Sequence, residues 1–188
     1  MMIYLSKGIV QKNSTEQLLF VAHCGQIFQL TGTEATLWFN GRFAFAVSHS
    51  EMEVPALKHL ERMGLAEMES EDSPQNRYCI LTRCVCCPAQ YTRPELPMHS
   101  KEKWMLQWLR NAGIRLSTAE LVYLREHEIM PEEKYFYQEN RQALIEEIYT
   151  KDTIADNLLE QQMENAGCRD EVVHTLMKLL AKKKILLL

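Results

Sequence analysis

Glycine is scarce, seven residues in the whole chain, and none of the seven builds a phosphate-cradling loop. There is no G-x-x-x-x-G-K-[ST] stretch, no G-x-G-x-x-G fingerprint, no G-x-S-x-G elbow and no H-E-x-x-H helix. With those patterns gone, and with His23, His49, His59, His99, His127 and His174 scattered, the expectation is a protein that is not an enzyme and carries no cofactor. Long apolar runs are missing too. None approaches the roughly 20 residues that span a bilayer, and MMIYLSKGIV has no long apolar region or small-residue cleavage site, so neither a membrane span nor a signal peptide is expected. Six cysteines are too few and too irregularly spaced for a secreted disulfide scaffold, which points to a reducing cytoplasm. An excess of positive charge is also lacking. Residues 1–98 hold 8 basic and 10 acidic side chains and residues 99–188 hold 13 and 15, so each half carries the same small negative charge. Affinity for nucleic acid comes largely from neutralising phosphates, and composition gives it no independent support.

What is present centres on Ala56 to Thr82. Leu57, Leu60 and Met63 recur at three-residue steps, leaving Lys58, His59, Glu61 and Arg62 for the opposite face of an amphipathic helix. Gly64 supplies the left-handed residue that ends it, and Leu65-Ala66-Glu67-Met68 begins a strand. A polar tract from Glu69 to Asn76, with Pro74 inside, precedes a second β-like run at Arg77-Tyr78-Cys79-Ile80-Leu81-Thr82. Helix, glycine exit, strand, polar loop and strand resemble the recognition helix and wing of a winged helix-turn-helix domain, most of all the MarR-type regulators. In that family a basic wing tip touches the minor groove; here the tip reads SEDSPQNR, with Arg77 its one base.

Upstream, Met2–Leu5, Gln17–Ala22 and Gln26–Leu30 are three β-like runs, read as a small hairpin before a short helix at Ala35–Phe39 that Asn40-Gly41 stops. Phe43–Val47 fits either a strand or a middle helix. Pro55 falls near the start of the next helix, which therefore begins near Val54 or has an irregular first turn. The order hairpin, LTGTEATLWF, linker, helix, Gly-Leu is also similar to the PqqD-like peptide-recognition domains, which bind a precursor peptide along a strand edge. That likeness covers roughly residues 18–68.

Proline-bearing residues 88–100 read as a linker. Lys101–Asn111 follows as a helix whose Trp104, Met105, Trp108 and Leu109 make a wide apolar face, a candidate interdomain or dimer surface. Ile114–Leu116 suits a strand, and Ser117 with Glu120 makes a capping-box pattern opening Thr118–Glu128. Tyr135-Phe136-Tyr137 must bury at least partly. Helices then fit Arg141–Tyr149, Thr153–Asn165 and, after a turn at Gly167, Arg169–Lys183, with Ile185–Leu188 as a closing strand. This second helix-turn-helix pattern makes the expected fold mainly α with small β-hairpins, an α+β class of tandem winged-helix-like domains. The expected boundaries are 1–87 for the first domain, 88–100 for the linker and 101–188 for the second.

The resemblance implies a DNA-binding transcriptional regulator acting as a homodimer on double-stranded DNA. Its contact residues would be Lys58, His59, Arg62 and Arg77 in the first domain and Arg169, His174, Lys178 and Lys182 in the second. Against this, Glu51 and Glu53 stand where phosphates would approach the N-terminal half of the first recognition-like helix, and the C-terminal lysines also simply complement a helix dipole. The alternative is a protein- or peptide-binding winged-helix module without DNA binding. The thiols Cys84, Cys86 and Cys87 are the metal candidates, but no second C-x-x-C pair is present and an extended strand turns Cys87 away from the other two.

Overall fold

The computed structural model describes residues 1–15, 18–89, 97–111, 116–136, 141–149 and 166–188. It is a mixed α+β chain in two compact units, Met1–Cys84 together with Leu186–Leu188, and Val85–Ile185.

In the first unit the strand β1 (Met2–Ser6) runs through the middle of an antiparallel sheet, with Ile3, Tyr4 and Leu5 all buried. Strand β2 (Ile9–Val10) pairs with β3 (Leu19–His23), and β3 with β4 (Gln26–Leu30), in a second antiparallel sheet. Leu19, Val21 and His23 alternate inward along β3. Cys24 and Gly25 join β3 to β4 with φ of 48° and 80°, the paired left-handed residues of a type I′ hairpin turn. Helix α1 (Gly32–Asn40) buries Ala35, Leu37 and Trp38, and β5 (Ala46–Ser48) returns to pair with β1.

Helix α2 (Val54–Arg62) holds Pro55 in its first turn, where the missing N–H would have had no helical partner. It buries Leu57 and Leu60. The amide of Leu65 donates to Leu60 O and that of Gly64 to Glu61 O, both at 2.8 Å, a Schellman exit that needs the φ of +72° at Gly64. Gly64→Ala should therefore cost about 1–2 kcal/mol, read as a lowered urea midpoint with unchanged slope; an unchanged midpoint would remove the constraint assigned to this exit.

Past the exit the expected wing is corrected. Strand β6 (Ala66–Glu69) forms, but it pairs with β1, Tyr4 opposite Met68, to complete the order β5-β1-β6. Arg77–Thr82 is not a strand: it lies in helix α3 (Pro74–Thr82). Ser73 Oγ accepts from the Asn76 amide at 3.1 Å and Pro74 follows it directly, so the residues read as a loop breaker are a helix start.

The second unit opens with β7 (Cys86–Pro88), and a short strand β8 (Ile185–Leu187) ends the chain. Helices α4 (Ser100–Asn111) and α5 (Thr118–Glu126) both pack on α7 (Ala166–Ala181), while α6 (Arg141–Ile148) packs on α5. Ser117 and Glu120 close the capping box at the start of α5; Ser117→Ala should lower stability by about 1 kcal/mol in thermal denaturation. The α4 apolar face is spent within this unit and is not a free dimer surface. Trp108 is fully buried, its ring 5.6 Å from both Tyr135 and Phe136. Gly167 is no turn but part of the first turn of α7. The expected helix at Thr153–Asn165, most of the expected strand at Ile114–Leu116, Tyr137 and the heart of the linker, 90–96, lie outside the described residues.

Candidate functional site

Among the eight cations expected to meet DNA, four have carboxylate partners. His59 Nδ1 sits 2.6 Å from Glu34 Oε1. Arg77, on α3 rather than a wing, forks onto Asp72 at 2.6 and 2.8 Å, and this pairing holds the Asp72 carboxyl below its usual range. Arg169 meets Asp170 at 2.9 Å. Lys182 Nζ lies 2.8 Å from each oxygen of Glu102, a residue only 1% exposed. Lys58 and Arg62 remain together on exposed α2, where Arg62 Nε donates to Lys58 O. His174 and Lys178 are exposed on α7.

The thiols divide by burial. Cys84 is buried, its Sγ donates to Ile80 O at 3.3 Å, and burial pushes its pKa up to about 12. Such a thiol is a poor source of thiolate. Cys86 is buried on β7 and Cys87 is half-buried. Among the described residues no three His, Cys, Asp or Glu side chains gather as metal ligands would.

A charged cluster that the sequence did not signal lies beneath β1 and β6. Lys7, 7% exposed, holds Glu67 at 2.7 Å. Arg83 meets Glu67 at 3.0 Å and Glu69 at 2.9 Å, and donates to Met68 O on β6 at 3.1 Å. Arg83 and the packing of α3 thus occupy the outer side of β6. His23 is the buried histidine of the chain, with Nε2 3.3 Å from Cys24 Sγ and Nδ1 unpartnered among the described residues. Burial, then the Lys7 charge, lower its pKa against the opposing pull of Glu67. The unfolded chain therefore takes up a proton near pH 6.5 that the folded ring refuses. This contribution to stability is in place above that pH and is lost as pH falls from there through the folded value. His23→Leu should flatten the decline in urea midpoint between about pH 7.5 and 5.5; an equally steep decline would place its origin elsewhere.

Strand β4 differs from β6 in having, among the described residues, no strand across its outer edge. The two-residue turn makes His23 and Gln26 a hydrogen-bonded pair, so Gln26, Phe28 and Leu30 turn their backbone groups to β3. The amides and carbonyls of Ile27 and Gln29 then point away. The bond from Gln11 N to Phe20 O, on the far side of β3, has the same phase. Among the described residues no backbone partner meets the outward groups of Ile27 and Gln29. The strand carries no charge and no proline, and Ile27 is 66% exposed. Natural edges are ordinarily blunted by lysine, proline or a bulge, and β4 has none of these devices.

Comparison with protein-family models, with curated proteins and with solved structures finds no match to this chain.

Proposed function

We propose that the chain is a protein-interaction module that takes an extended peptide segment as an added strand along β4. The observation that carries this is the uncharged edge of β4, unpaired among the described residues, beside an exposed Ile27. Strand addition draws affinity from main-chain hydrogen bonds and selectivity from alternate side chains. The fitting partner is therefore uncharged across its middle, with an apolar side chain placed to lie against Ile27. The order of hairpin, α1, α2, Gly64 exit and β6 keeps the likeness to PqqD-like peptide-recognition domains. The regulator reading draws less support, because Arg77, Arg169, Lys182 and His59 are engaged with carboxylates. For generic duplex DNA the expected result is no binding that falls steeply with salt.

The test uses the full chain and a random library of nine-residue peptides. A selected peptide should protect the amides of Ile27 and Gln29 from hydrogen exchange. Gln29→Pro removes an outward donor without touching the β3 ladder, and should weaken that peptide at least about tenfold, equivalent to about 1.4 kcal/mol. Failure to select any peptide, or equal binding by Gln29→Pro, overturns the proposal.

A further inference from the structure

Arginines 77, 83, 125 and 169 each meet a carboxylate. Arg42 does not. It follows Gly41 at the end of α1, and its guanidinium carbon lies 5.4 Å from the Trp38 ring and 4.6 Å from the Phe43 ring. Among the described residues its guanidinium makes no hydrogen bond or ion pair, and of its nitrogens Nε alone is both buried and unpartnered. Burial lowers its pKa with no counter-charge acting against it. A second polar group unpartnered among the described residues adjoins the same turn: Ser6 is 3% exposed, its amide bonds to Gly41 O at 2.9 Å, and its Oγ has no partner there.

A guanidinium stacked on aromatic rings uses its faces and leaves its in-plane N–H groups for acceptors. The apolar rings also lower the local dielectric, which strengthens attraction for an anion in that plane. A carboxylate or phosphate group matches the fork with two parallel hydrogen bonds. We propose that Arg42 anchors a binding site for a single oxyanion, a carboxylate or phosphate group, lying in the plane of its guanidinium beside Trp38 and Phe43. The site stands apart from strand addition on β4, and Gln29→Pro should leave it unchanged.

The experiment follows the Arg42 Nε–H and Trp38 indole N–H signals of the full-length, isotope-labelled protein by NMR. Inorganic phosphate and acetate are titrated separately against sodium chloride at matched ionic strength. A saturable shift with at least one oxyanion, absent with chloride, is the expected result; the tighter of the two arms assigns the site to phosphate or to carboxylate. Arg42→Met keeps an apolar stem on Trp38 and should abolish saturation at the indole signal. Arg42→Lys keeps the charge without the fork and should bind at least about tenfold more weakly, a loss of about 1.4 kcal/mol. Shifts that stay linear in both arms, or equal saturation in either variant, overturn the proposal.

Discussion

Lys182→Met is expected to destabilise the protein by about 3–5 kcal/mol at neutral pH, the range for removing one partner of a buried ion pair. Glu102 would be left with its carboxylate nearly inaccessible and only the His99 amide, at 2.8 Å, among its described donors. The pH dependence identifies the cause. Burial alone would raise the Glu102 pKa, but the hydrogen bonds and charge from Lys182, with the His99 amide, bring it below the ordinary value. In the native protein this stabilisation is present above the unfolded carboxylate value near pH 4.3 and is lost as pH falls through the folded one. Without Lys182 the burial effect dominates and the sign reverses, so stability is lost as pH rises from the unfolded value through the raised folded one. The gap in urea midpoint between variant and parent should therefore narrow from pH 7 to pH 5. Replacing Glu102 and Lys182 together by methionine should recover much of the loss. A gap independent of pH would assign the effect to packing of the lysine stem. Any loss of DNA binding in Lys182→Met would carry this folding defect with it.

Trp38→Ala is the second large effect, about 3–5 kcal/mol for emptying a buried aromatic site. The indole is fully buried among Tyr4, Leu37, Leu57 and Leu60, and its N–H donates to Lys7 O at 2.9 Å. Trp38→Phe separates the two contributions, because it fills most of the volume but leaves that carbonyl without its donor, at about 1–3 kcal/mol. Thermal denaturation with near-ultraviolet circular dichroism checks both. A loss under about 1 kcal/mol for the alanine variant would show that the site collapses around the gap.

The local signals in the sequence mostly translated into elements. Leu57 and Leu60 followed by Gly64 foretold α2 and its exit, Ser117 with Glu120 foretold the start of α5, and Gln26–Leu30 was recognisable as a strand. The α3 segment carries a misleading local signal, because Tyr78 and Ile80 favour strands, while Tyr78, Ile80 and Leu81 bury without a clean helical stripe. Its informative residues were Ser73 and Pro74. The pairing of β6 with β1 joins segments far apart in the chain, and no local pattern encodes it. The same limit governs the site. Strand β4 can be read from five residues, but its lack of an outer neighbour among the described residues is a property of topology. Lys182 likewise reads as one of several surface cations until Glu102, 80 positions earlier, is found beneath it.

The amide of Gly8 donates to Leu187 O at 2.8 Å, and Leu186–Leu188 belong to the first unit. On the ribosome, that unit therefore cannot finish folding when Cys84 emerges from the exit tunnel. It must wait, short of its last three residues, until the entire second unit has been synthesised.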